Sequence, residues 1–356
     1  MISQYKSING LKGIACIFIV IYHYHCLFIL DAGLIREFAP FYPYSQYIFE
    51  YSKNAVELFF MLSGFLTALH YHDATISFHE YFRRHYGKLI FSSLIVNLWA
   101  FVNSLLMAKN VSLVRLVLSI LMINTGWLTS FQQTGLPVNS TMWYIDVLLL
   151  CYLLYYFIRK VSKNSRMYII LCVAMVILGW VCLEHTPKLP FLWNHDGRGY
   201  ATFFLGCILA EFQVRASDSC KQIISWLWSG FIVAFFVFHM VIGFESVFGK
   251  FGTMKYVRYF EFIAAPGIIL ASVNLVPVKK FLSHKAFVFL GELSAAIYYV
   301  HNNVMEDYIL LGVCGDSRFV FLLMIIIVVL CGILYQKLLL ANMIKFSHYV
   351  GRKFKT

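Results

Sequence analysis

Charge is scarce in this chain. Only 13% of its 356 residues are Asp, Glu, Lys or Arg, about half the ~25% of a soluble domain. With 60% of the residues hydrophobic, that scarcity excludes an ordinary soluble fold. No Pro/Gly/Ser-rich linker divides the chain, so residues 1–356 read as a single domain with no appended soluble domain. No C-x-x-C spacing occurs among the nine cysteines, most of which sit inside apolar runs. They read as small apolar residues, which removes the sequence case for zinc, redox chemistry or a disulfide framework. No small-x-small cleavage site follows the apolar stretch from Ile8 to Leu30, so it reads as a spanning helix left in place, not a signal peptide. No internal repeat or low-complexity segment is visible. Nor is any basic run interleaved with stacking aromatics, which argues against nucleic acid as a partner despite a formal net charge of +12.

What the chain does have is long apolar runs over its whole length, the mark of an all-α, polytopic membrane protein in a lipid bilayer. Ten spans are expected, near 8–30, 54–71, 88–108, 142–158, 167–183, 199–213, 223–243, 259–276, 286–307 and 319–340. Alternate connections carry the cations: Arg83, Arg84 and Lys88; Arg159, Lys160, Lys163 and Arg166; Arg215 and Lys221; Lys279, Lys280 and Lys285. The tail adds Lys345, Arg352, Lys353 and Lys355. The positive-inside rule places these, and both termini, in the cytoplasm of a multi-pass cell-membrane protein. Val111 to Leu128 is then an interfacial or re-entrant segment, since one more crossing would invert every later loop. The aromatic stretch from Asp31 to Lys53 reads either as a lid or as aromatic-belt residues at the interface.

Ionisable groups inside spans are costly and point to function by default. His23, Glu57, Asp146, His239, Glu261, Glu292 and His301 all fall in or at the ends of such spans. His239 and Glu261 read better as groups satisfied by packing between helices. In the opening helix, Lys12 and His23 are eleven residues apart, about 1100° of helical turn, so both lie on one face. The rise between them is about 16 Å, roughly half of a ~30 Å hydrocarbon core. Glu57, near the outer end of the second span, can share the outer half with His23. A carboxylate beside a histidine orients its ring and stabilises the imidazolium, as a general base requires.

The connection YHDATISFHEYFRRHYGKLI gathers Arg83, Arg84, His85 and Lys88. Such a cluster suits the phosphates of a cofactor, and positive-inside topology alone also explains much of it. The histidines His70, His72, His79 and His85 straddle this loop with no diagnostic spacing, so no metal site is expected.

Several stretches together resemble the acyltransferase family 3 of membrane-bound acyltransferases, whose members O-acylate cell-surface glycans. The first span is similar to the family's Arg-x10-His motif, with Lys12 in place of Arg and His23 at the His. AVELFFMLSGFL resembles G-V-D/E-L-F-F-x-L-S-G-F, with Glu57, Phe59, Phe60, Ser63, Gly64 and Phe65 matching. YFRRHYGKLI resembles the family's basic loop ending in R-x-x-R, aligned as Arg84, His85 and Lys88, with Phe91 where proline often falls. NSTMWYIDVLLLCYLL, GRGYATFFLGCILAE and LGELSAAIYYVHNNV resemble N-x-x-x-W-[FY]-[LI], R-x-x-x-F-F-x-x-G-x and L-G-x-x-S-x-x-I-Y-L-x-H-x-x-V. The likeness runs from the first span to the ninth. Two departures stand out. Lysine in place of arginine loses the planar fork, and the R-x-x-R loop is degenerate.

The resemblance implies an O-acetyltransferase moving an acetyl or other short acyl group from cytoplasmic acyl-CoA, usually acetyl-CoA, to a hydroxyl of an extracytoplasmic glycan or glycolipid. His23 and Glu57 are then the catalytic candidates. Lys12, Arg83, Arg84, His85 and Lys88 are the candidates for the donor's phosphates or its pantetheine entrance. The rival classes are a carrier for a sugar or glycolipid, for which the repeat symmetry and paired broken helices of such proteins are not visible, and an interaction or sensor component with a decayed site.

Overall fold

The structure is a computed structural model and describes residues 6–31, 52–72, 76–127, 137–185, 189–242, 263–313 and 318–340. All the regular structure among these residues is helical. The helices are α1 (Lys6–His25), α2 (Ala55–His70), α3 (Phe78–Leu106), α4 (Leu113–Ile120), α5 (Trp143–Val161) and α6 (Ser165–His185). They continue as α7 (Asn194–Arg215), α8 (Asp218–Ile242), α9 (Ala265–Asn274), α10 (Val276–Leu282), α11 (Lys285–Leu310) and α12 (Arg318–Leu334). Short π-helical turns, Cys26–Asp31 and Tyr335–Leu340, extend α1 and α12.

Each of the ten expected spans has a helix in the described residues. Five helices among those residues are long and apolar enough to cross a bilayer, or six when α9 and α10, bent by 93°, are taken as one. The chain is a multi-pass membrane protein. The lid stretch up to Tyr51 and Glu261 lie outside the described residues, as does the side chain of His239.

The boundary that departs furthest from the sequence expectation is the start of α3. α3 begins about ten residues early, at Phe78, so Arg83, Arg84 and His85 join Lys88 on one helix. Ser77 caps it by accepting from the Glu80 amide at 3.3 Å, a Ser-x-x-Glu start of the kind that opens helices. Phe91 leaves the helix unbroken where a proline would have disturbed it.

α4 spans only eight residues, about 12 Å, too short to cross a membrane. Its Leu113, Val114 and Val117 are exposed. Its other face docks on α3, where Ser93 Oγ and Asn97 Nδ2 both donate to the Ser119 carbonyl at 3.0 and 3.3 Å.

The core is built on close helix pairs, chiefly α2 with α7, α1 with α11 and α6 with α7. Apolar helices in lipid gain little from hydrophobic sorting, so close backbone approach and dispersion carry the association. Gly64 and Gly206 make the α2–α7 contact possible: a Cβ on them would sit 1.9 Å from the Phe203 carbonyl oxygen and 2.1 Å from that of Met61.

The pairings give the bundle two ends. At one end gather Lys12, Arg83, Arg84, Arg159 and Arg215 with the start of α11. There the buried Glu211 bridges Arg215 at 2.8 Å, His72 at 3.6 Å and Arg159 at 3.9 Å. The opposite end holds His23, Glu57, Arg198 and the C-terminal half of α11.

Candidate functional site

α1 and α11 run side by side and bring two histidines together from positions 278 residues apart. His301 Nε2 lies 3.1 Å from His23 Nδ1, with ring centroids 4.9 Å apart. The protons follow from the neighbours. His301 Nδ1 is 2.7 Å from the Tyr298 carbonyl oxygen, which only accepts, so that nitrogen carries hydrogen. In the neutral ring, His301 Nε2 is therefore the acceptor, and His23 Nδ1–H donates to it. His23 Nδ1 also lies 3.0 Å from the Ile19 carbonyl, which demands the same tautomer. What remains on His23 is the Nε2 lone pair, on a residue that is only half-buried.

The second half of the site is an ion pair. Glu57, fully buried in the first turn of α2, accepts from Arg198 Nε of α7 at 2.5 Å. The Arg198 guanidinium lies over the Trp143 ring, 4.6 Å from its centroid. The planar cation is thus held on two sides, by a carboxylate and by a π face. A base and a fixed cation at one end of a membrane bundle suit a reaction that removes a proton and builds an oxyanion.

A column of hydroxyls and rings joins this end to the basic one. His85 packs in a cage of Tyr71, Tyr81 and Tyr152, with ring centroids 5.9, 4.5 and 4.1 Å away. Further along, Ser63 Oγ and the Tyr144 hydroxyl share a hydrogen bond at 3.3 Å. Tyr144 meets Tyr298 at 5.3 Å and Tyr298 meets His301 at 5.6 Å between centroids. Tyr298 is fixed by donating to the Thr141 carbonyl.

The expected site residues therefore divide into two groups. His23 and Glu57 share one end, but Glu57 pairs with Arg198, and the ring of His23 is oriented by His301 and Ile19. Lys12 stands at the other end, with Asn9 Oδ1 3.4 Å from its ammonium. Arg83 and Arg84 are exposed, Arg84 pairing with Glu80 one turn back, while His85 turns inward. Lys88 is on the same helix, and its side chain lies outside the described residues. Asp146 is occupied structurally. Its carboxylate accepts from the Thr125 amide at 2.9 Å, and its carbonyl accepts from the Trp127 indole at 3.2 Å, pinning the turn after α4. Among the described residues no three His, Cys, Asp or Glu side chains gather as metal ligands.

Arg198 is the member of this cluster that reading the sequence for ionisable groups missed. It sits at the start of α7 in the GRGYATFFLG stretch, and its position as the lead residue of that motif was the available signal. The acyltransferase-domain family model matches residues 5–338. No curated protein and no solved structure matches the chain. With that match covering nearly its whole length, and all the regular structure among the described residues helical, the chain belongs to acyltransferase family 3.

Proposed function

We propose that the protein is a membrane O-acyltransferase that carries an acetyl or other short acyl group from acyl-CoA at the basic end to a hydroxyl of a glycan or glycolipid at the histidine end. On this reading all ten helical stretches cross the cell membrane and the basic end, with both termini, is cytoplasmic. The donor's phosphates meet Arg83, Arg84 and Lys88 on α3, with Lys12 near the entrance and His85, among its tyrosines, at the head of the column. The acyl-pantetheine arm lies along the column from Tyr152 through Ser63 and Tyr144 to Tyr298.

At the far end His23 Nε2 takes the proton of the acceptor hydroxyl. The oxygen attacks the thioester carbonyl, and the negative charge gathers on the carbonyl oxygen. Arg198, held in place by Glu57 and Trp143, stabilises that oxyanion. The C–S bond then breaks. The sulfur leaves with the proton held by His23, giving free CoA and the ester. His301 accepts from His23 Nδ1–H throughout and steadies the imidazolium while it exists.

The observation that carries the reading is the lone pair left on His23 Nε2 by the His301 and Ile19 contacts. The test is acyl transfer from labelled acetyl-CoA to surface glycan in membranes bearing the His23→Ala protein. Loss of ester-linked label with the protein folded and present at normal level is expected. Retention of full transfer refutes the scheme.

A further inference from the structure

A second polar site is lined by helices other than those that carry the proposed donor route. A cavity of about 400 Å³ opens between the C-terminal end of α7, the start of α8 and the bend between α9 and α10. Its walls are Gln213, Asp218, Lys221, Gln222, Asn274 and Lys279, with Val273 at the edge. None of these belongs to α1, α2, α3 or α5. The volume falls in the ~300–1,000 Å³ range of small-ligand sites.

The lining is built rather than incidental. Asn274 ends α9 where the chain bends. Its amide exchanges hydrogen bonds with Gln213, at 3.0 and 3.2 Å, and donates to Ser225 Oγ at 3.2 Å. These bonds fix the floor. The Lys221 side chain is sunk to 15% exposure, with its ammonium 3.0 Å from Asp218 Oδ1, while Asp218 itself is 93% exposed at the rim. Lys279 is exposed and has no ion-pair partner among the described residues. Two cations therefore face one rim carboxylate, and amides line the space between.

The surroundings say what kind of molecule suits it. Ile223, Trp226 and Leu227 on α8, and Val276 and Phe281 on α10, are all more than half exposed. They stand within a turn or two of the lysines. A polar, net-cationic pocket beside an exposed apolar wall matches an amphiphile, with the headgroup against the lysines and the acyl chains along α8. A tryptophan at this level fits the interfacial layer, and basic pockets between membrane helices take anionic headgroups.

We propose that this pocket binds a phosphate group presented by an anionic phospholipid. The proposal is independent of the transfer chemistry, and its readout is binding. Full-length protein in detergent is titrated with dioctanoylphosphatidylglycerol, with dioctanoylphosphatidylcholine and with inorganic phosphate, and thermal unfolding is followed. Ligand that binds the folded state raises the midpoint, and a rise of about 2 °C or more is expected with phosphatidylglycerol and none with phosphatidylcholine. The rise should vanish in K221Q/K279Q and persist in K160Q/K163Q, where the charge is removed at the end of α5. K279Q alone, on an exposed residue, should weaken the response and serves if the double variant does not fold. A lysine-dependent rise with inorganic phosphate as well would keep the phosphate site and assign it to a soluble ligand. No rise with either anion, or an equal rise in wild type and in the lysine variants, would overturn it.

Discussion

If His23 is the base of the proposed reaction, replacing His301 by alanine separates what orients that base from what stabilises its charged form. In the wild type, His23 Nδ1–H is shared between the Ile19 carbonyl at 3.0 Å and His301 Nε2 at 3.1 Å. The alanine variant keeps the first contact, so the tautomer survives and Nε2 remains the free base. What is lost is an acceptor facing His23 after it has taken a proton. A hydrogen bond to a charged group contributes ~1.5–3 kcal/mol, and ~1.36 kcal/mol is tenfold in rate, so kcat should fall roughly 10- to 150-fold. The KM for acetyl-CoA should stay near its wild-type value, because His301 lies at the end away from Arg83 and Arg84. His301→Gln offers a carboxamide oxygen to the same proton and should recover part of the loss. The assay is initial-rate release of CoA thiol in membranes carrying the natural acceptor, with unfolding temperature as a control for folding. Wild-type turnover in His301→Ala, or a glutamine variant no better than alanine in a folded protein, would refute the dyad.

Further expectations concern the ion pair, the packing and the donor end. Arg198→Met leaves the Glu57 carboxylate buried without its cation, which should cost ~3–5 kcal/mol; the added change Glu57→Gln should restore much of the lost thermal stability without restoring transfer. Gly206→Val places a side chain where a Cβ already lies 2.1 Å from the Met61 carbonyl, so at least the ~1–3 kcal/mol of ordinary overpacking should appear as a lower unfolding midpoint. R83Q/R84Q should raise the KM for acetyl-CoA a few-fold and flatten its salt dependence, since exposed charges act through a screened field, while kcat with saturating donor is kept.

The helices were legible because lipid demands long apolar runs. The start of α3 was not, because hydropathy registers the residues that enter lipid, and Phe78–His85 is a polar helical extension fixed by Ser77. Loop parity made Val111 to Leu128 an interfacial or re-entrant segment; among its described residues the helix is α4, eight residues long and docked on α3. His23 and Glu57 were recognisable as costly groups within spans, but their partners were not. Glu57 meets a cation 141 residues away and His23 meets a histidine 278 residues away. Those distances along the chain are closed only by the α2–α7 and α1–α11 pairings, and no periodicity in either partner encodes them. Asp146 shows the opposite error in waiting: a buried acid that looks chemical in the sequence is committed to backbone amides.

The glycine contacts between α1 and α11 set how the molecule can move. A Cβ on Gly13 would lie 2.5 Å from the Phe287 carbonyl oxygen, and one on Gly291 would lie 1.7 Å from that of Asn9. Two backbones meshed this tightly cannot slide or roll past each other without collision, so the rods bearing His23 and His301 travel as one strut. Any opening that admits an acceptor must come from the neighbours swinging away from that strut. The contact between the two histidine rings then keeps its geometry while those neighbours move.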